Sequence, residues 1–282
     1  MISTIIKNLF SQEGNSILDS RITQIVAKKH YNFLIVAARQ DELSAFIDQT
    51  SNLKKGAKVE FGVRELRYEE KKTKIDILTY TPAIMGMAFN AASIMRIICK
   101  YQPVYTIFIG TCAGLYSDKN KYGDVLVPNN IYNYESGKHL DDVFECDHNC
   151  YSTDDDMRKY AGILANKLDK KINIITDEHF CSGSAIVDSK TKKLEIISRL
   201  PRKVTGLDME AYSIACINHI LREEGKKLCV IKSIMDFGEN KSASEKSQNK
   251  ILAMQNSGKV ALELIKYIHS EIINNNDYTY IL

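Results

Sequence analysis

No uninterrupted apolar run in the chain approaches the roughly 20 residues that a membrane-spanning helix requires. The start lacks the continuous apolar stretch and small-residue cleavage site of a secretion signal. Charge of one sign is also missing: 38 Lys and Arg stand against 35 Asp and Glu, leaving a formal charge of +3. No basic stripe interleaved with aromatics occurs, which excludes nucleic acid as the main partner. The 7 cysteines, an odd count at irregular spacing, read as reduced thiols of a cytoplasmic protein. Cys146 and Cys150 have no second pair and match no closed zinc site, so they read as loop thiols. Neither a metal nor a cofactor is expected. No internal repeat or flexible linker divides the sequence.

What is present is 44% apolar content over 282 residues, enough for one substantial core. Strand and helix signals alternate. Apolar runs at Phe33–Ala37, Val104–Ile109, Asp124–Val127 and Leu228–Ile234 predict buried strands, and 59–68 with 75–80 predict a strand pair. Helical spacing is expected over 41–49, 85–100, 157–168, 191–198, 210–222 and 246–273. The alternation predicts a three-layer α/β/α domain over 31–282, with a mixed, mostly parallel twisted sheet. Residues 1–30 carry apolar positions such as Ile2, Ile5, Ile6 and Leu9, then Ile17, Leu18, Ile22 and Ile25, at helical spacing. They predict a helical extension of two amphipathic pieces, suited to packing on the domain or on a sister subunit, or to docking on another protein or a membrane surface.

Three segments concentrate chemistry. The β-branched run Cys229-Val-Ile-Lys-Ser-Ile-Met-Asp236 delivers one carboxyl to a strand end. Gly110-Thr-Cys-Ala-Gly114 follows an apolar strand and reads as a tight turn. Gly206-Leu-Asp-Met-Glu210-Ala-Tyr212 reads as a helix opening. Glu42 follows the first strand. All fall at strand ends or helix starts, and ligands of such sheets bind beyond the carboxyl ends of the strands.

In this order and spacing the segments resemble the nucleoside phosphorylase and nucleosidase superfamily, from about Phe33 to Ile268. The resemblance is nearest to its methylthioadenosine/S-adenosylhomocysteine nucleosidase branch and to phosphorylase-like modules of bacterial signalling and defence systems. It implies cleavage of a purine N-glycosidic bond. Asp236 would be the general acid on the base, in a setting where Val230, Ile231 and Ile234 favour a protonated carboxyl. Glu42 would orient water, and Glu210 would hold the ribose, with Met209 beneath the sugar. Gly110 would let backbone approach the sugar, and Thr111 would face the nucleophile. Val187 would read the adenine edge, beside Ile186, where the nucleosidases usually have a stacking aromatic. Lys232 stands where they usually carry Arg and would anchor the carboxylate network.

The carboxylate at Glu42, in place of a glycine-rich, arginine-bearing phosphate loop, favours hydrolysis over phosphorolysis. Lys138, with Arg39, Arg64 or Arg67, is a candidate for holding a 5′ phosphate chain, against a plain surface turn. That opens AMP or ATP as substrates beside nucleosides, and nucleotide depletion in antiviral defence as a role. A phosphorylase and a catalytically silent nucleotide-binding module remain alternatives. The resemblance further implies a homo-oligomer, and the extension is a candidate contact for a sensor partner.

Overall fold

The computed structural model describes residues 31–141, 143–168, 172–221, 225–239 and 243–273. The expected helical extension over 1–30 lies outside the described residues. The first half contains β1 (Phe33–Ala37), α1 (Gln40–Ile47), β2 (Leu53–Lys58), β3 (Arg64–Glu70), β4 (Thr73–Tyr80), α2 (Met87–Tyr101) and β5 (Tyr105–Gly114). Short strands follow: β6 (Val125–Leu126), β7 (Asn130–Asn133), β8 (Gly137–His139), β9 (Phe144–Cys146) and β10 (Cys150–Ser152). The remainder is α3 (Asp155–Ala165), β11 (Ile174–Ile175), β12 (His179–Ser182), α4 (Lys190–Arg199), β13 (Val204–Asp208), α5 (Ala211–Leu221), β14 (Lys227–Asp236) and α6 (Ala243–Ile268).

A mixed 12-stranded sheet forms the middle layer, with β10-β7-β12-β13-β5-β1-β4-β3-β2 as its main path. β14 lies parallel to β5, and β5 parallel to β1. Side chains alternate across these central strands. Phe33, Ile35, Ile107, Ile109, Cys229 and Ile231 face α1, α3 and α6, whereas Leu34, Val36, Phe108, Val230 and Ile234 face α2 and α5. Burial on both faces explains the uninterrupted apolar runs read in the sequence. Each fully buried side chain of this kind contributes about 1.5–3 kcal/mol of hydrophobic stabilisation. The expected three-layer α/β/α architecture is therefore present.

Several local expectations are corrected. β5 continues through Gly114, so Gly110 to Gly114 is strand, not a turn. The strand expected from Val59 starts at Arg64, because Glu60–Gly62 makes a 3-10 turn in which Phe61 and Gly62 both have positive φ. Gly206 to Asp208 belongs to β13, and α5 begins only at Ala211. Lys138 is on β8, which pairs with β9 in a separate two-stranded ribbon. Cys146 and Cys150 are free thiols on β9 and β10. No helix among the described residues is long and apolar enough to cross a membrane.

Candidate active site

Glu42 is the third residue of α1 and is almost fully buried. Its Oε2 accepts from the Arg39 backbone N–H at 3.2 Å, closing the helix start as a capping box. Its Oε1 accepts from both the backbone N–H and the hydroxyl of Thr111 on β5, each at 2.8 Å. The carboxylate thus bridges α1 and β5, with its orientation fixed by three donors. Gly110, at φ +144°, lies beneath it, and a β-carbon there would come within 2.7 Å of the Glu42 carboxyl. Glycine is required at this position by the approach of a side chain.

Asp208, the last residue of β13, caps α5. Its Oδ1 accepts from the backbone N–H groups of Glu210 at 3.2 Å and Ala211 at 3.0 Å, and from the Ser182 hydroxyl at 2.7 Å. The other oxygen, Oδ2, faces the Lys232 ammonium at 3.3 Å in an ion pair without an aligned hydrogen bond. Lys232 is buried on β14, with its Nζ 3.6 Å from the centroid of the Phe108 ring. Burial pushes the Lys232 pKa down, but Asp208, Glu42 and Glu210 outweigh it and raise the net value.

Glu210 follows two residues after this cap, and its carboxylate accepts from the Gly86 N–H at 3.2 Å. Burial, then the nearby Asp208 charge, push the Glu210 pKa up to about 7, against opposing effects of Lys232 and the Gly86 donor. Asp236 ends β14. A shift in the β14–β5 register between Ile234 and Asp236 makes Met235 an extra residue, so that Asp236 stands opposite Ala113. Asp236 is buried, and its Oδ1 accepts from the Gly238 N–H at 2.9 Å.

These groups surround one cleft of about 300 Å³, at the lower end of small-molecule sites. Glu42, Thr111, Met209, Glu210, Lys232 and Asp236 line it, together with Ile186, Val187, Arg39, Asp208, Cys112 and Met85. Of the residues singled out in the sequence, Gly110 is the packing floor for Glu42, and Ile186 projects at the mouth, 68% exposed. Lys138 is exposed on its ribbon and does not line the cleft, which corrects its expected place at the substrate. Asp208 and Met85 carried no assigned role in the sequence reading. The Asp208 signal is an acid three residues before a helical apolar pattern, which marks a cap.

A mixed α/β sheet whose rim gathers four carboxylates and one buried ammonium around a single cleft defines a small-molecule enzyme-type site. The chain belongs to the Phosphorylase superfamily, whose sequence profile matches residues 32–266. It is 24% identical over 258 residues to the 5′-methylthioadenosine/S-adenosylhomocysteine nucleosidase of Buchnera aphidicola, spanning 88% of this chain and 94% of that protein. Among solved structures it resembles the methylthioadenosine/S-adenosylhomocysteine nucleosidase of Colwellia psychrerythraea in complex with adenine, with a TM-score of 0.66 at 16% identity, covering 84% of this chain and 96% of that one. The futalosine hydrolase of Helicobacter pylori matches with a TM-score of 0.65 at 17% identity, covering 84% and 97%.

Proposed function

We propose that the protein is a purine nucleosidase, which cleaves the N-glycosidic bond of an adenine nucleoside with water. The observation that carries this reading is the convergence of Asp236, the Glu42–Thr111 pair and Glu210 around one cleft of nucleoside size. In the reaction the bond from the sugar anomeric carbon to the base breaks. The base leaves with a proton from Asp236 at N7, and water adds to the anomeric carbon as its proton passes to Glu42. Glu210 accepts from the ribose hydroxyls, Met209 packs beneath the sugar, and Val187 faces the base edge. Lys232, kept positively charged by Asp208, Glu42 and Glu210, balances the clustered acids that face the sugar as it gains positive character.

Water is favoured over phosphate by charge. A phosphate dianion at Thr111 would meet Glu42, the Lys232 ammonium is paired with Asp208, and Arg39 is paired with Asp41. Nucleosides are favoured over AMP or ATP because Lys138 is outside the cleft, Lys232 is buried against Asp208, and the other cation of the lining, half-buried Arg39, is paired with Asp41. The naming of the relatives as adenosine-type nucleosidases, and the adenine held by one of them, support the choice of base. Exposed Ile84, Met85 and Phe89 support assembly into a homo-oligomer at this face.

The test is chromatography of the purified protein incubated with methylthioadenosine, adenosine, AMP and ATP, each with and without phosphate. Adenine from methylthioadenosine without phosphate is the expected result. Release that depends on phosphate makes the protein a phosphorylase and overturns the role of Glu42. No base from any substrate, with adenine still bound, favours the silent binding module.

A further inference from the structure

Outside the cleft, one buried ion pair has no part in the chemistry described above. Lys193, in the first turn of α4, is buried, and its Nζ donates to Glu239 Oε1 at 2.5 Å. The other Glu239 oxygen, Oε2, is buried with no hydrogen-bond partner among the described residues. Lys193 is thus the cation that compensates this carboxylate. An ion pair so placed is not a solvated surface contact. It joins the start of a helix to the loop that follows β14.

The contacts around it connect the two walls of the cleft that face the base. Gly238 lies between Asp236 and Glu239, and its N–H donates to Asp236 Oδ1 at 2.9 Å. The Gly238 carbonyl accepts from the Ser189 N–H at 2.9 Å, and Ser189 is the residue that caps α4. A β-carbon on Gly238, at φ +70°, would lie 3.7 Å from the Lys193 stem and 3.8 Å from Val187. The stem of Lys193 and the side chain of Val187 therefore cover the glycine whose amide holds Asp236. The Lys193–Glu239 pair closes this loop-to-loop contact on its outer side.

We propose that Lys193 is a positioning residue for general acid catalysis. Paired with Glu239, it clamps the Ser182–Ser189 segment, and with it Val187, against Gly238, and so sets the distance between the base wall and the Asp236 carboxyl. The inference rests on the nucleosidase reading for Asp236 as proton donor. Without the clamp, the base and the acid no longer approach with one fixed geometry. Bond cleavage then slows only where the leaving group needs the proton.

The test compares Lys193→Met and Glu239→Gln with the parent on two substrates. One is methylthioadenosine, whose adenine leaves with protonation. The other is 4-nitrophenyl β-D-ribofuranoside, whose nitrophenolate leaves without it. The expected result is a kcat about 10–100-fold lower on the purine substrate and within about twofold on the nitrophenyl riboside. Lys193→Arg, which keeps the charge, should restore most of the purine rate. Equal losses on both substrates, or no loss on either, overturn the proposal.

The double variant Lys193→Met with Glu239→Gln strands neither charge, so it keeps the test valid if a single variant fails to fold. A second readout is independent of turnover. Amide hydrogen exchange at Gly238 and Ser189 should accelerate together in Glu239→Gln, by about tenfold or more. Unchanged exchange at both overturns the clamp. A parent protein that releases no base from any nucleoside refutes the nucleosidase reading instead, while the exchange measurement still decides whether the two loops are clamped.

Discussion

Gly110 and Glu42 share one space. A β-carbon on Gly110 would fall 2.7 Å from the Glu42 carboxyl carbon and Oε1 and 2.8 Å from Oε2, at a backbone angle of φ +144° that favours glycine. Gly110→Ala must therefore move the carboxylate or the strand. The expected outcome is a loss of kcat of about 100-fold, the size associated with a misplaced water-positioning group, and a stability loss of about 1–3 kcal/mol from backbone strain. Steady-state kinetics together with a urea unfolding midpoint check both. A fully active Gly110→Ala protein would remove Glu42 from the mechanism.

Thr111 holds the same carboxylate through two donors, and only one of them belongs to its side chain. Thr111→Val keeps the backbone N–H and the shape but removes the hydroxyl. One hydrogen bond to a charged acceptor is lost, worth about 1.5–3 kcal/mol, so kcat/KM should fall about 10–100-fold. The thermal midpoint should fall by a few degrees too, because the Glu42 carboxylate that loses this donor is buried.

Asp236→Asn preserves the size of the side chain and its capacity to accept from Gly238, which donates to Oδ1 at 2.9 Å. It cannot give up a proton as an acid. A general acid contributes about 10²–10⁴-fold, so kcat should drop by that range while adenine binding, measured by calorimetry, changes little. Unchanged release of adenine would exclude Asp236 as the acid.

The sheet and the carboxylates are legible in the sequence for a common reason. β1, β5 and β14 are buried on both faces, so their apolar runs are continuous, and Glu42 and Asp236 stand where those runs stop. β2 is hidden because five of its six residues, Lys54 to Lys58, are exposed, and it is a strand only by virtue of pairing with β3. β13 is hidden for another reason. It is short and glycine-containing, and it meets β5 only at Gly206–Gly114 and Leu207–Ala113. Tertiary pairing of this sort leaves no periodicity to read. Gly110 was expected as a turn because glycine after an apolar run usually marks one, yet here it makes room for a side chain 68 positions away in sequence, as the Gly110–Glu42 approach shows. Lys138 follows the same logic in reverse. Its local sequence suits a turn near the substrate, but the β8–β9 pairing takes it out to the surface.

Lys232 is the only ammonium among the residues lining the cleft, and it faces Asp208 at 3.3 Å with both side chains buried. Lys232→Met keeps the stem over Phe108 but leaves Asp208 without its cation, close to Glu42 and Glu210. Removing one partner of a buried pair costs about 3–5 kcal/mol, which should appear as a lower denaturant midpoint. The double variant Lys232→Met with Asp208→Asn should recover part of that loss, because no stranded charge remains. Full additivity of the two single losses would show that the pair is not coupled.

Glu210 gives the protein a pH signature. Its carboxyl, with an ordinary value of 4.5, is raised to about 7 by burial and by Asp208. Unfolded chains ionise this group from about pH 4.5, whereas the folded protein keeps the proton until near neutrality. Between these values the folded state binds more protons, so this group's contribution to stability falls as pH rises and levels off above about pH 7. The difference corresponds to a few kcal/mol, about 3 at most, on the conversion of pKa to free energy. Glu210→Gln should therefore be stabilising at pH 8 relative to the parent and nearly neutral at pH 4, measured as the change in unfolding midpoint. The same variant cannot offer a carboxylate to the ribose hydroxyls, so it should lose activity at every pH. In the parent, kcat/KM should show an acid limb near pH 7 as Glu210 ionises. Stability and activity then move in opposite directions across one titration. A Glu210→Gln protein whose midpoint falls with pH as steeply as the parent's would assign the titration to another group.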